Sequence, residues 1–341
     1  MRILGISISN MGLAVSRRCG SDSTGTMVTG YDLTKPSWLS GAEVDRLKGK
    51  LEHCLYAFST EIGSLQEVSN WKDASVVLAY PVGMDLVELQ ALKALFQRMD
   101  VKIHRYISAS PARGLYLLDQ NPDMDATVCC VGCNKDSVEL SLIDIADGVV
   151  EEQCQRVYED NAACNYALME QKIRTLIREA DDCGRNIDTL YLQYTKPPKQ
   201  GCELLAMPGM RIVKRLDDFA ASYGALVLAE LIAGKRNDGL TLPIHDFEIF
   251  CRVNGGEKIS ILPRDSSIPT RREKEIAFTS PGYAELELFA ESVAMGKQYS
   301  LFKKTFTMHA AGSIRVVFTC GADNLPMLTI TAEGKQYRVM Y

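Results

Sequence analysis

The residues best suited to chemistry in this chain are a cysteine pair, Cys130-Val131-Gly132-Cys133, with Cys129 beside it. A C-x-x-C does redox work where a helix N-terminus stabilises one thiolate, and it binds zinc where a second pair stands at matched spacing. Here the other cysteines are isolated and the motif closes a strand-like run, so a structural role is expected. The four histidines, His53, His104, His245 and His309, fall on four different expected elements without ligand spacing. No metal site and no Cys/His dyad is therefore expected. No G-x-S-x-G, Walker loop or dinucleotide fingerprint occurs. The run Arg271-Arg272-Glu273-Lys274-Glu275 mixes charge signs and reads as a solvated strand edge.

The totals bound what such residues can serve. At 341 residues the chain is long enough for two or three domains. Hydrophobic content of 46% beside 24% charged residues is ordinary for a globular protein and argues against disorder. A formal net charge of -5 gives no pull toward nucleic acid or anionic lipid, and neither is expected as a partner. Eleven scattered cysteines, an odd number, with no secretion signal at Met1-Arg2, lead to an expectation of reduced thiols and a cytoplasmic location. No window reaches the length of apolar sequence that a membrane span needs.

The elements that must position any site follow from hydrophobic period. Residues 2–8, 12–17 and 25–31 read as a three-strand meander. Ser40 with Glu43 forms a capping box ahead of a helix carrying Val44, Leu47, Leu51, Leu55, Phe58, Ile62 and Leu65 at helical spacing. A buried strand at 74–80 follows, then a helix on Leu89, Leu92, Phe96 and Met99 with Asp85 and Glu88 as a possible cap. A strand at 101–107 and a helix from Pro111 to Leu118 complete the set. The order then repeats: strands at 127–132, 137–145 and 149–157, with Asp147-Gly148 as a tight turn, and a helix over 161–182. Strands at 187–194 and 211–213 lead to a helix capped by Asp217 and stopped at Gly234. The expected architecture is a duplicated α/β unit with lobes at 1–120 and 121–236, although two flavodoxin-like units in tandem would give a related string.

Past Arg236 the pattern changes. Residues 237–245 read as a linker, and from 246 to 341 only alternation and turns remain, with Leu286 and Leu288 facing opposite to Glu285 and Glu287. Short strands with Gly and Pro turns indicate a β-sandwich. The fold class expected is thus α/β followed by all-β.

From Asp217 onward, LDDFAASYGALVLAELIAG, GLTLPIHD, NGGEKISILPRDSSIPTRREKEIAFTS and IRVVFTCGADNLPMLTITAEGK resemble the DnaK-type heat-shock chaperone family, in that order. They correspond to its last nucleotide-domain helix, its interdomain linker, and the first strands and last hairpin of its peptide-binding β-domain. Upstream, VVLAYPVGMDLVELQALKALFQRMDVKIHRYISASPARGLYLLD and ATVCCVGCNKDSVELSLIDIADGVVEEQ fall in the family's positions too. The resemblance implies actin-like, ribonuclease H-like βββαβαβα lobes. It also implies a peptide groove lined by Val253, Asn254, Phe278, Ala284 and Leu286, of which Phe278 and Leu286 have an equally good reading as core.

The departures from the family bear on chemistry. Its first phosphate loop is replaced by Ser7, Ser9, Asn10 and Met11, its second by Gly132 alone in VGCNKDS, and its adenosine loop by Thr195-Lys196-Pro197-Pro198. Gripping a triphosphate takes backbone N–H groups from glycine turns and acids that organise magnesium. The family's clamp subdomains have no counterpart between the third strand and Ser40 or after Asp160, and no helical lid precedes the end at Tyr341. The expectation is a non-hydrolysing cleft with Ser7, Asn10, Gly132, Asn134, Lys135 and Thr195 as its vestige, no cofactor, and a peptide or protein client. Two alternatives stay open. In one, a minimal ATPase uses Asn134, Lys135 and Asp136 with ATP and magnesium; in the other, an assembly subunit docks a partner where the clamps are missing.

Overall fold

A computed structural model describes residues 2–9, 12–19, 22–60, 74–82, 84, 86–133, 137–159, 166–194, 212–236, 244–245, 247–263, 266, 270–292, 297–320 and 326–339. The protein is mixed α/β with four β-sheets, and it divides into two units, Met1–Pro243 and Ile244–Tyr341. The division falls inside the expected linker, whose residues 237–243 lie outside the described ones. Among the described residues, no helix is long and apolar enough to cross a membrane.

In the first unit, β1 (Arg2–Ser9), β2 (Gly12–Cys19) and β3 (Asp22–Thr29) form an antiparallel meander. After a 3-10 turn at Pro36–Trp38 come α1 (Gly41–Thr60), β4 (Ala74–Tyr80), α2 (Leu86–Arg98), β5 (Ile103–Ser108) and α3 (Ala109–Gln120). β4 lies parallel to β1 and β5 parallel to β4, which gives the order β3-β2-β1-β4-β5. The same string follows: β6 (Ala126–Cys133), β7 (Ser137–Ala146), β8 (Val149–Glu159), α4 (Tyr166–Asp182), β9 (Ile187–Tyr194), β10 (Ile212–Arg215) and α5 (Ala220–Ile232). Its order is β10-β9-β6-β7-β8, with β6, β7 and β8 antiparallel and β6, β9 and β10 parallel. Five of the six strands of the second sheet therefore match the first sheet in order and in sense. Tandem flavodoxin-like units, whose strands would all be parallel, are ruled out by the antiparallel meanders.

Local signals account for these elements. Ser40 N–H donates to Glu43 Oε2 at 2.8 Å and Glu43 N–H to Ser40 Oγ at 3.4 Å, closing the capping box at the head of α1. Those bonds hold the Glu43 carboxyl below its ordinary range, with Ser40 as the cause. Asp147-Gly148 joins β7 to β8 with φ of 50° and 74°, the left-handed pair of a type I′ turn. The cap expected ahead of α2 differs: Asp85 lies outside the described residues, and Glu88 instead accepts from Ser37 N–H and Oγ–H. Asp217 sits three residues ahead of α5 rather than at its cap, and its Oδ1 takes the Phe219 N–H at 2.7 Å. Residues 61–65 of the expected α1 stripe and 161–165 of the expected α4 lie outside the described residues.

The two halves meet through a pair of helices. α5 is buried almost all round, from Ala220 to Glu230 apart from half-buried Tyr223, as befits a helix enclosed on every side. Its backbone lies on β1, so close that a Cβ on Gly5 would overlap Ser222 O and Leu226 N. A Cβ on Gly224 would overlap the carbonyl of Ala112 on α3. α3 in turn presses on the second sheet, where a Cβ on Gly114 would stand 2.6 Å from Val150 Cγ1. Each half's last helix thus covers the other half's sheet. One core runs through both, from Val77 and Ile107 across Ala112, Leu115, Ala225 and Leu228 to Val128, Ile143 and Val150.

A charged cluster locks the far ends of the same helices. Arg18 of β2 donates Nε–H and Nη2–H to Glu230 of α5, at 2.8 and 3.0 Å, and Arg236 donates to Asp119 of α3 at 2.5 Å. Glu230 beside Arg18 raises the guanidinium pKa above its ordinary value.

The second unit opens with the two-residue strand β11 (Ile244–His245). Next come β12 (Phe247–Val253), β13 (Ile259–Leu262), β14 (Thr270–Phe278), β15 (Gly282–Ser292), β16 (Lys297–Met308), β17 (Gly312–Cys320), β18 (Pro326–Ala332) and β19 (Lys335–Val339). They build two four-stranded sheets, β13-β12-β15-β16 and β14-β17-β18-β19. The sheets share one core in which Cys251, Leu286, Leu288 and Phe306 of the first meet Ile314, Val316, Phe318 and Ile330 of the second. Leu286 and Leu288 point inward and Glu285 and Glu287 outward, as their alternation dictates. Tyr337 of β19 lies edge-on to Phe306 of β16, ring centroids 5.4 Å apart, with Lys304 over its face. Among the described residues no helix follows Ile232.

Two outcomes are expected. Gly224→Val forces a branched side chain onto the Ala112 carbonyl and should cost at least about 3 kcal/mol, or prevent folding, in urea denaturation. A wild-type-like midpoint would contradict the close approach. The second outcome concerns His104, which is the extra residue where the β4–β5 register shifts; its Nδ1 accepts the Val76 N–H at 3.2 Å. Burial, then Lys102, lowers its pKa. The neutral form is the one held in the fold, so its contribution is complete above the unfolded value of about 6.5 and is lost as pH falls through the folded value. Wild type should lose about 1 kcal/mol more than His104→Gln between pH 7.5 and pH 5. Parallel pH profiles would contradict this.

Candidate functional site

In sheets of this kind ligands gather beyond the C-terminal ends of the parallel strands. β1 and β6, the central strands, end at Ser9 and Cys133, β5 ends at the head of α3, and β9 runs toward the segment ahead of α5. Of the vestigial-cleft residues expected from sequence, Ser7 and Gly132 are described, on β1 and β6. Ser7 is half-buried on β1, opposite Ala14 of β2 and Ala79 of β4. Gly12 begins β2 at φ 138°, and a Cβ there would overlap the Val28 carbonyl, so β2 opens on a glycine for steric reasons. Asn10, Asn134, Lys135, Asp136 and Thr195 lie outside the described residues.

Gly132 is the best-defined member, and its surroundings assign it a purpose other than presenting N–H groups to a phosphate. Arg113, on the second turn of α3, reaches across Gly132. Its Nη2–H donates to Glu139 Oε2 of β7 at 3.0 Å and its Nε–H to Gln193 Oε1 of β9 at 2.8 Å. A Cβ on Gly132 would stand 2.9 Å from Arg113 Nη2 and 3.0 Å from Glu139 Oε2. A side chain here would press on the ends of both partners, which would have to shift to make room. Both partners are buried, their side chains 8% and 5% exposed. The amide of Gln193 continues the chain of bonds, donating to the carbonyls of Asp217 and Asp218 at 3.2 Å each, just ahead of α5. The head of α3, three strands of the second sheet and the approach to α5 are thereby tied to one guanidinium.

Further polar atoms lie close by in the fold. Ser108, which precedes α3, donates its hydroxyl to Gln155 Oε1 of β8 at 3.4 Å. Ser141 stands between Cys130 and Gln155 in the ladder. Ser141 Oγ, Ser110 Oγ and Arg113 Nη1 are buried and have hydrogen-bonding capacity unused by the described residues. Chemically, this is a neutral set with one internally compensated cation. A carboxylate 3.0 Å from the arginine opposes any anion that approaches it.

Among the described residues, Cys129 and Cys130 join no reactive arrangement. Burial pushes the Cys130 thiol up to about 12 and raises Cys129 further, so both stay protonated at neutral pH. The side chain of Cys133 is outside the described set. No group of three His, Cys, Asp or Glu side chains converges as a metal site among the described residues.

In the second unit, four of the five expected groove residues come together at one end of the β12–β15 pair. Val253 faces Leu286 in the ladder, and Asn254 lies beside Ala284 and Glu285. Asn254 has φ 49°; its N–H donates to Glu285 O at 2.9 Å and its Oδ1 accepts the Glu285 N–H at 2.7 Å. It is an exposed turn residue whose side chain is used in fixing the turn. Ala284 and Leu286 are fully buried in the shared core, and Val253 and Phe278 are half-buried against it. Phe278 stands apart, at the end of β14 in the other sheet, opposite Gly312. Leu286 and Phe278 thus pack the core, the alternative role the sequence allowed them.

Sequence reasoning missed Arg113 and Gln193. A single arginine in SPARGLYLL reads as the wet face of a helix, and no spacing links it to Glu139 or Gln193. A usable signal was the lone Gly132 inside an apolar strand, since glycine there marks a close approach.

The ion pair has a measurable signature. Glu139→Gln leaves a buried guanidinium without its counter-charge and should cost about 3–5 kcal/mol in urea denaturation, whereas Arg113→Met with Glu139→Leu should cost far less. Equal losses for the two variants would show that the residues are not paired. Compared with known proteins, the chain matches no family model, and no curated protein is significantly similar to it.

Proposed function

We propose that this protein is a chaperone-like relative of the DnaK type that binds a peptide or protein segment without an ATP cycle. In this reading the first unit is a pair of actin-like, ribonuclease H-like lobes and serves as a rigid scaffold. The second unit is a β-sandwich that carries the binding surface. The matched strand orders support the lobes, together with the last helix of each half lying on the opposite sheet. Two four-stranded sheets on one core support the sandwich.

The observation that carries the absence of an ATP cycle is the Arg113–Glu139 pair over Gly132. A triphosphate is held by unspent positive charge and free N–H groups. At this point the arginine's charge is met by a carboxylate and its Nε–H by a glutamine, with Nη1 buried and unbonded among the described residues, and Glu139 opposes an incoming anion. The glycine that elsewhere would present its backbone to a phosphate is covered by a side chain.

Isothermal titration with ATP–magnesium tests this directly. No saturable binding below about 1 mM and no turnover above background are expected. Micromolar binding, or hydrolysis that Lys135→Ala abolishes, would overturn the proposal in favour of a minimal ATPase.

A further inference from the structure

β14 is an edge strand whose side chains break the pattern of its sheet. Among the described residues it pairs only with β17, antiparallel, so its other edge presents backbone donors and acceptors. Along the row shared with core residues of β17, Arg272 lies opposite Phe318, Lys274 opposite Val316, Ile276 opposite Ile314 and Phe278 opposite Gly312. Phe318, Val316 and Ile314 are buried, and Ile276 and Phe278 are half-buried against the same core. Arg272 and Lys274 are exposed, on the row that should be apolar.

The opposite row of β14 is electrically settled. Glu273 accepts from Arg315 at 2.6 Å and from Arg271 at 2.9 Å, and Glu275 accepts from the Ser313 hydroxyl at 2.5 Å. Arg315 holds the Glu273 carboxyl below its ordinary range. Arg272 and Lys274, by contrast, have neither a hydrogen-bond nor an ion-pair partner among the described residues. Two free cations therefore flank an open strand edge on a chain whose overall charge is -5.

We infer that the free edge of β14 docks an acidic, extended polypeptide segment. The inference rests on the reading of the second unit as peptide-binding and names the chemistry of its client. An incoming strand takes its affinity from main-chain hydrogen bonds and its specificity from alternate side chains. Side chains two apart share a face. Acids at alternate positions fall beside Arg272 and Lys274, and apolar residues at the next two alternate positions fall beside Ile276 and Phe278. Read N to C in a strand parallel to β14, the recognised pattern is acid-x-acid-x-apolar-x-apolar. The competing role for such charges is to keep a strand edge from pairing with anything. A cationic row disfavours apolar and basic strands as a guard does, and it attracts an acidic one.

Fluorescence anisotropy of the labelled heptapeptide Glu-Ser-Glu-Ser-Val-Ser-Val against the full chain tests it, with Lys-Ser-Lys-Ser-Val-Ser-Val and Ser-Ser-Ser-Ser-Val-Ser-Val as controls. The acidic peptide should bind about tenfold more tightly than the basic one, with the preference fading in salt. Arg272→Glu with Lys274→Glu, checked for an unchanged melt, should invert that preference. A preference unaltered by the reversal overturns the inference while leaving peptide binding in place, as does equal binding of all three peptides. Absence of binding to any peptide overturns both, and self-association of an Arg272→Thr, Lys274→Thr variant would then assign the charges to guarding the edge.

Discussion

The first unit depends on one close approach, where the backbone of α5 lies against the backbones of α3 and β1 with glycine at both contacts. Gly224 meets the Ala112 carbonyl, and Gly5 meets Ser222 and Leu226. Helix packing usually leaves room for side chains between axes. Here it is tightened until only hydrogen fits. The result is a buried apolar cluster that spans both sheets. Ser16 and Ser222 share a hydrogen bond at 2.6 Å inside it, so even the polar contact of α5 with β2 is internal.

That approach also decides what stands at the ligand end of the sheets. With α3 held one backbone from α5, its second turn brings Arg113 over Gly132, where the guanidinium finds Glu139 and Gln193. A buried ion pair adds little net stability compared with apolar residues of the same volume, because both charges were taken out of water. Its effect is positional: removing either member alone is costly, so the head of α3 cannot drift from the second sheet. The cluster of Arg18, Asp119, Glu230 and Arg236 does the same at the other end of both helices. Two charged locks at opposite ends suit a scaffold that does not open and close around a nucleotide. In the proposed function, recognition falls to the second unit, where Arg272 and Lys274, without an ion-pair partner among the described residues, lie on an edge strand.

Much of the fold was legible because it depends on short-range chemistry. The capping box at Ser40 and Glu43, the Asp147-Gly148 turn, the β4 run and the alternation at Glu285–Leu288 each specify local geometry. Repetition of the element order gave the duplication. The site was less legible. Gly132 read as the remnant of a phosphate loop because a glycine at a strand end has several causes, and its contact with a side chain nineteen positions earlier leaves no trace in the spacing. Ala284 and Leu286 read as groove residues by position along the chain, yet alternation with Glu285 already turns them inward. Arg272 and Lys274 read as ordinary solvated charges. Only the pairing of β14 with β17 reveals that they occupy core-facing positions.

The central claim is that the cleft of the first unit is closed by its own ion pair and does not take a nucleotide. Amide hydrogen exchange with and without saturating ATP–magnesium measures this in the native protein, because a ligand seated between the sheets must slow exchange in the strands and helix around it. The account predicts identical protection in peptides covering Ser7, Arg113, Gly132 and Glu139. Slowed exchange confined to those peptides would contradict it.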